Sequence, residues 1–485
     1  MKKIYSLLII IASTLSMGVL AQTQLSFENE TFKIAQFTDL HWSNNSPNCV
    51  QTTNTIKRVL EIEKPHLAIL SGDVVTAPPA KDGWLRIAKI FEEAKTPWTA
   101  VLGNHDEEAD LSREGVFEVL EGLPYFVGEK GDVTGAGNFV LTINGSDNKV
   151  SSLIYGIDSH NKPQQNKHGH YDWIHFDQIA WYRQSSESFT KANNGKPLPS
   201  LSFFHIPILE FKNIENKKST VGNKMEGVAS SEINSGIFAS FIEMKDVMGV
   251  FVGHDHNNDY IGVDQDIALA FGRTTGADAY GKLDRGARII QMYEDKFQFD
   301  TWIRTPDKQE FVYYFPSGIS SIDEENMTFL PSLSNITKGK QGLEYIYYEG
   351  GTLKKTADIL TNGKMVNKGV VDNFSLSPAL VPDSFAIVFE GLIDIPEKAV
   401  YNFYTFSDDG SVLYIDDNMV VDNDGSHSLK RMDGKVALEK GLHKIKVEYF
   451  DNYMGEYLEV GWSSRAIREE VIPNYVLYIE NNPSK

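Results

Sequence analysis

The chain has 485 residues, which is too long for one ordinary domain, so we expect two globular units. Apolar residues make up 41% of the sequence and charged residues 23%, which excludes an intrinsically disordered chain. Asp and Glu number 66 against 46 Lys and Arg, and this formal charge of −20 excludes a nucleic-acid clamp, because affinity for polyphosphate depends largely on Lys and Arg.

Residues 1–21 have the pattern of an export leader. Lys2 and Lys3 give a positive start, a mostly apolar run follows, and a cleavage site is predicted at Val19-Leu20-Ala21. An uncleaved anchor helix is the alternative, but the run is short for a bilayer span and its far flank is not basic. We therefore predict export to the periplasm, the cell surface or the medium, with no transmembrane anchor after cleavage.

Residues 22–304 form the first predicted unit. From residue 32 onward, β-rich runs alternate with amphipathic helical runs, which is the pattern of strands joined by crossover helices. The predicted strands are 32–37, 66–70, 98–102, 137–143, 150–157, 201–205, 247–252, 268–271, 288–293 and 296–302, and the first helices are 50–63, 82–93 and 112–120.

The remaining chain, residues 305–485, has a different sequence pattern. Periodicity is lost over residues 305–341, where Pro, Ser, Asn and Gly accumulate, and this predicts a linker or a packed connector. Over residues 342–485, short alternating segments lie between Asp, Asn and Gly turns, with almost no helical signal. This pattern predicts an all-β sandwich or barrel.

Five polar clusters follow predicted strands of the first unit. They are Asp39-Leu40-His41, Gly72-Asp73, Gly103-Asn104-His105-Asp106, His205 and Gly253-His254-Asp255-His256. Because the carboxyl ends of strands in α/β sheets meet at one crevice, we expect these clusters to converge. Imidazole, carboxylate and amide groups suit a borderline divalent metal, and seven such groups are too many for one ion. The sequence therefore predicts two metals.

Each cluster alone also has a purely structural interpretation. His205 fits a hydrogen-bonded core histidine, Gly103-Asn104 fits a turn, and Gly72-Asp73 fits the N-cap of a helix. The complete set in this order favours metal binding over these separate explanations.

With these motifs in this order, residues 32 to about 304 resemble the calcineurin-like metallophosphoesterase superfamily. The resemblance implies a four-layer αββα sandwich with a dinuclear centre. It implies that one metal is held by Asp39, His41, Asp73 and His256, and the other by Asp73, Asn104, His205 and His254. It makes His105 the proton donor or oxyanion-stabilising residue and Asp106 its orienting partner.

The first unit is similar, within that superfamily, to the short class of proteins related to purple acid phosphatases. Two positions depart from the purple enzymes. His41 stands where they have Gly, and Thr76 stands where they have the metal-binding Tyr. The phenolate that gives those enzymes their colour is therefore missing.

The proposed centre has a physical rationale of its own. Two divalent ions, a bridging hydroxide and the carboxylates of Asp39 and Asp73 leave a charge of about +1, which attracts phosphate. We predict phosphomonoester hydrolysis by metal-activated hydroxide, with Zn, Mn or Fe as the ions and His105 protonating the leaving oxygen. A phosphodiesterase or nucleotidase on the same site is the alternative, because the pocket beyond the metals decides which phosphorus substituents are tolerated.

Weaker signals border these motifs. His170 and Tyr171 lie in a histidine-rich stretch that is interpreted as an active-site rim contacting substrate, or as a third metal site. Arg273 follows the last motif and either binds a phosphate bidentately or forms a structural ion pair.

Residues 342 to about 480 resemble a protective-antigen-type β-module found in toxins and yeast adhesins. The resemblance rests on Gly342-Leu343-Glu344-Tyr345, on Ser407-Asp408-Asp409-Gly410 and on the run from Leu458 to Trp462. It implies that Asp408 and Asp409 bind calcium, which then holds the hydroxyls of a glycan, or that the module serves targeting. A hairpin turn at the same residues is the alternative. A rival hypothesis for the whole chain is a carbohydrate-binding adhesin with a vestigial phosphoesterase scaffold, although a scaffold would not need Asn104 or His256.

Overall fold

A computed structural model of the protein describes residues 24–481, apart from 218 and 335. Its N-terminal region is built on two seven-stranded sheets. The predicted leader, residues 1–21, lies outside the described residues. One sheet has the order β1-β5-β6-β7-β8-β10-β9 and the other β14-β13-β12-β11-β2-β3-β4. The strands are β1 (Leu25–Ser26), β2 (Thr31–Phe37), β3 (Leu67–Ser71), β4 (Trp98–Val101), β5 (Phe139–Asn144), β6 (Val150–Gly156), β7 (Ser200–Phe203), β8 (Val247–Val252), β9 (Ile261–Asp264), β10 (Ile267–Phe271), β11 (Ala287–Tyr293), β12 (Phe299–Arg304), β13 (Gln309–Phe315) and β14 (Ile319–Ser320).

Most of the helices cover the outer face of one of the sheets, but the last of the seven has no buried residue and lies near β13 and β14. The helices are α1 (Cys49–Glu63), α2 (Ala80–Ala94), α3 (Arg113–Leu120), α4 (Phe176–Ala192), α5 (Phe211–Ile214), α6 (Ile237–Met244) and α7 (Ser321–Asn326), with a 3-10 turn at Asn166–His168. The predicted start of α3 is confirmed, because the Ser112 side chain accepts a hydrogen bond from the Gly115 backbone N–H.

Three hydrophobic cores stabilise this region. Ile34 of β2 packs in the core between the two sheets, together with Phe203 and Phe251 of the facing sheet. The neighbouring residue Ala35 points the other way, into a core that contains apolar residues of α1, α2 and α3. A third core joins the outer face of the other sheet to α4, α5 and α6 and includes Tyr182. This arrangement confirms the predicted four-layer αββα sandwich.

The C-terminal region is an all-β sandwich, as predicted. One sheet contains β15, β26, β18, β23, β20 and β21 in that order, with β16 and β17 added beside β18, and the other has the order β22-β19-β24-β25. The elements are β15 (Lys338–Gln341), β16 (Leu343–Glu349), α8 (Ile359–Asn362), β17 (Lys364–Val371), β18 (Phe385–Ile395), β19 (Ala399–Asp408), β20 (Ser411–Ile415), β21 (Asn418–Asn423), β22 (Lys430–Leu438), β23 (Gly441–Asp451), β24 (Tyr457–Ser464), β25 (Glu470–Val471) and β26 (Leu477–Glu480), with 3-10 turns at Thr356–Asp358 and Asn474–Val476.

The segment 305–341 is structured where a linker was one expectation. Strand β13 pairs with β12 and extends the second sheet, and its Tyr313 and Phe315 enter the core between the sheets. This segment also contacts the C-terminal sandwich. Tyr314 and Ile319 pack with Val400 and Ala437, and the Arg465 guanidinium lies 4.3 Å from the centre of the Tyr314 ring. This strand has only seven residues and its burial does not alternate, so the sequence carried no periodic signal for it among the turn-forming residues.

Within residues 24–481, the helices are all too short or too polar to cross a bilayer.

Candidate metal centre

The predicted ligands lie just beyond the carboxyl ends of strands. Asp39, Asp73 and Asn104 follow β2, β3 and β4, and in the facing sheet His205 and His254 follow β7 and β8. The backbone φ angle is positive at Asp39 (53°), Asp73 (50°) and His254 (78°). Left-handed conformations are uncommon for residues other than glycine, and they cluster at functional sites. The two sheets thus bring these side chains to one crevice.

One group of ligand-type side chains consists of Asp39, His41, Asp73 and His256, whose ligand atoms all lie within 4.8 Å of one another. Nε2 of His256 is 3.1 Å from Oδ1 of Asp39 and 3.2 Å from Nε2 of His41. Nε2 of His41 is 3.7 Å from Oδ2 of Asp73. Ligand atoms lie about 3.4 Å apart when each is about 2.1 Å from a tetrahedral zinc ion, so this group can hold one ion.

A second group consists of Asp73, His205 and His254, again with ligand atoms within 4.8 Å of one another. Nε2 of His205 lies 3.1 Å from Oδ2 of Asp73 but without hydrogen-bond geometry. Nδ1 of His205 donates to the backbone carbonyl of Ser71 at 2.8 Å, so Nε2 carries the lone pair when the ring is neutral. Asp73 belongs to both groups, so it has the position of a bridging residue.

Buried polar atoms without partners test whether metals fit here. Among the described residues, no hydrogen bond reaches Asn104 Oδ1, His205 Nε2, either ring nitrogen of His254, or Nδ1 of His256. Each unpaired buried atom costs about 1–3 kcal/mol, and such atoms are rare in folded proteins. Coordination would satisfy several of them at once. The donor set therefore fits two divalent ions, and the amide oxygen of Asn104 is a further buried oxygen without a partner among the described residues.

The charge states of the centre are set by burial and by neighbouring groups. Burial lowers the pKa of His254 to about 3, so this imidazole is neutral, which is the form that binds a metal. Burial alone would raise the pKa of Asp39, but the charge of His256 lowers it to about 2. Burial alone would also lower the pKa of His205, but the Asp73 carboxylate raises it to about 9. A metal that binds His205 must therefore displace a proton.

The expectation that Asp106 orients His105 is wrong. Oδ1 of Asp106 accepts hydrogen bonds from the backbone N–H groups of Val74 (2.8 Å) and Val75 (3.0 Å). Its Oδ2 accepts from the backbone N–H of Gly103 at 2.7 Å. Asp106 thus connects the loop after β3 to the loop after β4 through three backbone donors.

Glu108 takes the place expected for Asp106. Oε2 of Glu108 lies 2.6 Å from Nδ1 of His105, and the backbone N–H of His105 donates to Oδ1 of Asp73 at 2.8 Å. The His105 side chain remains 39% exposed, so a substrate can reach it. The sequence analysis did not identify Glu108, and its spacing of three residues from His105 is the signal that could have indicated it.

The expectation that Arg273 contacts substrate is also wrong, and the alternative of a structural ion pair holds. Arg273 is buried, and its Nε donates to Oδ2 of Asp259 at 2.7 Å. Its Nη1 donates to the carbonyl of Asp284 at 2.8 Å, and its Nη2 donates to Glu310 at 3.3 Å. These partners occupy the guanidinium, so it is already paired within the protein.

The rim residues divide into those near the centre and those away from it. Tyr171 packs edge-on against His254, with ring centres 4.6 Å apart. His170 is 88% exposed and pairs with Glu232 at 3.1 Å. The sequence did not identify Tyr280, whose ring stacks on His256 at 4.0 Å. Among the described residues, two groups of side chains are placed to hold a metal ion. Neither group includes a residue of the stretch 160–175, so the structure gives no support for a third metal site there.

In the C-terminal region, Asp408 and Asp409 do not form the turn of a hairpin. Strand β19, which ends at Asp408, and the following β20 belong to different sheets. Oδ1 and Oδ2 of Asp409 accept from the backbone N–H groups of His427 and Asn452, each at 2.9 Å.

Asp451 is a further carboxylate of this cluster, and the sequence did not identify it. It is fully buried, and its two oxygens have no hydrogen-bond partner among residues 24–481 as described. Burial, together with the charge of Asp409, raises the pKa of Asp451 to about 7.

Comparisons with known proteins agree with this geometry. Residues 32–258 match the family described as calcineurin-like phosphoesterase, and residues 339–475 match the PA14 domain. "Probable inactive purple acid phosphatase 29" of Arabidopsis thaliana is 33% identical over 310 residues, which cover 56% of this chain and 80% of that protein.

Two further matches are more distant. "Phosphatase DCR2" of Saccharomyces cerevisiae is 28% identical over 347 residues, covering 63% of this chain and 59% of that protein. The crystal structure of a dimetal phosphatase from Danio rerio aligns with a TM-score of 0.41 and 10% identity, covering 57% of this chain and 97% of that one. On the family match and the 33% identical relative, the chain belongs to the calcineurin-like phosphoesterase family and carries a PA14 domain at its C-terminal end.

Proposed function

We propose that the protein is an exported phosphoesterase that hydrolyses phosphomonoesters with two divalent transition-metal ions, Zn, Mn or Fe. The observation that carries this proposal is the pair of ligand groups sharing Asp73, with buried donor atoms that lack other partners. One ion would be held by Asp39, His41, Asp73 and His256, and the other by Asp73, Asn104, His205 and His254. Export rests on the predicted leader alone.

The side chains around the proposed centre have separate tasks. Bound ions supply Lewis-acid chemistry and a nucleophile active at neutral pH. Because Nδ1 of His105 is engaged by Glu108, Nε2 is the nitrogen that can hold a proton for the leaving oxygen. Tyr171 and Tyr280 pack against the rings of His254 and His256 and hold those rings in place.

The vestigial-scaffold hypothesis fits these observations less well. A scaffold without metals would retain unpaired buried atoms on Asn104, His205 and His254, at about 1–3 kcal/mol each. Substitution of any of them by an apolar residue would remove that cost. The presence of the complete donor set therefore favours a working centre, even though three relatives from Arabidopsis thaliana have "inactive" in their names.

For the PA14 domain, we propose a calcium site at Asp408 and Asp409 that serves glycan binding or targeting. The carboxylate of Asp451 supports this proposal, because two unpartnered buried oxygens next to another carboxylate suit a hard cation.

Reconstitution tests the proposed activity. Chelator-treated protein should regain hydrolysis of phosphomonoesters with two equivalents of Zn, Mn or Fe. It should hydrolyse phosphomonoesters without a nucleoside faster than phosphodiesters and nucleotides. His205→Ala should abolish turnover. The matched control His443→Ala removes a buried histidine of the PA14 domain, which pairs with Asp416, and should leave turnover unchanged. Full activity without metal would contradict the proposal, diester preference would support the phosphodiesterase alternative, and no turnover with two ions bound would support the scaffold hypothesis.

A further inference from the structure

Strand β6 ends in a buried polar segment that none of the five sequence motifs includes. Asp158, Ser159 and His160 follow this strand, and all three are buried. The segment accepts hydrogen bonds directly from the loop that carries His205, and it pairs with Arg113, which donates to the loop that carries Asn104.

Asp158 holds the Asn104 loop through Arg113. Nε of Arg113 donates to Oδ2 of Asp158 at 2.9 Å, and Nη2 donates to Oδ1, so the buried pair is bidentate. Nη1 of Arg113 donates to the carbonyl oxygen of Gly103 at 2.8 Å. This oxygen belongs to the peptide group that joins Gly103 to Asn104. The orientation of Asn104 therefore depends on the ion pair.

Ser159 holds the loop of the second ligand directly. Its Oγ accepts hydrogen bonds from the backbone N–H groups of Ile206 at 2.9 Å and His205 at 3.3 Å. Since Nδ1 of His205 already donates to Ser71, the backbone and the ring of this histidine are fixed independently.

The segment itself is anchored from behind. The backbone N–H of Asp158 donates to Oδ1 of Asn138 at 3.0 Å. Nε2 of the buried Gln178 donates to the same Asn138 oxygen and to the carbonyl of Asp158, each at 2.8 Å. Asn138 and Gln178 thereby connect β6 to β5 and α4, which are rigid elements of the scaffold.

The first metal group is held by other residues. Oδ2 of Asp39 accepts from Thr38 at 2.8 Å, and the backbone carbonyl of His256 accepts from Thr274 at 3.2 Å. Within residues 24–481 as described, Asp158 and Ser159 make no hydrogen bond to Asp39 or His256.

We infer that Asp158 and Ser159 are positioning residues for the second metal subsite, acting through Arg113 on Asn104 and directly on the backbone of His205. The inference rests on the proposed two-metal function. It adds that Asp158 and Ser159 support the second subsite without hydrogen bonds to Asp39 or His256, so the second subsite can be weakened while the first is retained.

Site-resolved metal titration tests the inference. Zn²⁺ binding to chelator-treated full-length protein is followed by calorimetry, with Asp158→Asn and Ser159→Ala as test variants. Each should keep one site of parental affinity and weaken the other by about 10–100-fold, as expected when an outer-shell partner is removed. Asp246→Asn is the matched control. Its buried carboxylate accepts from Tyr155 (2.9 Å) and Tyr182 (2.5 Å) immediately before β8, away from the ligand loops, so both sites should keep parental affinity.

The outcomes are distinct. Parental affinity at both sites in both test variants would overturn the inference, as would equal weakening of both sites. If Asp158→Asn fails to fold, Ser159→Ala decides alone, because it removes only one oxygen atom. Failure of the unmodified protein to bind two ions would instead overturn the proposed function, and the inference with it.

Discussion

Substitution of Gly103 by alanine adds a single carbon atom, Cβ, which should disrupt both metal subsites. A Cβ at this position would lie 2.2 Å from Oδ1 and 2.4 Å from the backbone N of Asp73. Ordinary contacts of a Cβ are longer than 3.4 Å, so Asp73 would have to move by more than 1 Å. Metal–ligand distances tolerate about 0.2 Å, and a misplacement of about 1 Å can cost about 100-fold in rate.

The variant is measured by metal content and by hydrolysis of a phosphomonoester. Gly103→Ala should bind fewer than two ions and lose about 100-fold or more in turnover. The matched control is Gly227→Ala, because a Cβ there meets nothing within 4 Å. Two bound ions and parental turnover in Gly103→Ala would refute the argument that the loop after β4 fixes the bridging carboxylate.

Three further predictions concern the proton donor, the domain contact and the PA14 domain. His105→Ala should keep both ions and lose about 10²–10⁴-fold in turnover of an alkyl phosphate. The loss should be smaller for nitrophenyl phosphate, because its leaving group departs without a proton. Equal losses of turnover on the two substrates would contradict this role. Truncation after residue 340 should lower the melting temperature of the first domain, because it exposes Tyr314 and Ile319 to water at a cost of about 1.5–3 kcal/mol each. An unchanged melting temperature would show that the domains are independent. Calcium should raise the melting temperature of the protein through its PA14 domain and should not do so in Asp409→Ala; a shift retained in that variant would place the ion elsewhere.

The strand-end rule explains why the sequence located the candidate centre. Parallel strands present their carboxyl ends at one edge, so Asp39, Asp73 and His205 could be assigned to one crevice without knowledge of their contacts. The four layers follow from the same alternation of strands and helices.

The supporting residues could not be found in this way, because their roles depend on contacts between distant segments. Asp106 directly follows His105, yet it turns to the backbone of the neighbouring loop. Arg273 has the chemistry of a phosphate ligand, and only its burial beside Asp259 shows that it is already paired. Asp158 lies 45 positions after Arg113, and only the folded structure shows that the two side chains pair.

Metal analysis of the purified protein and of Asp73→Ala tests the central claim most directly. Asp73 contributes to both ligand groups, so the protein should contain close to two transition-metal ions per chain and the variant should contain almost none. Asp246→Asn, which removes a buried carboxylate away from the crevice, should retain two. At most one ion in the unmodified protein, or two ions retained in Asp73→Ala, would contradict the account of a dinuclear centre bridged by Asp73.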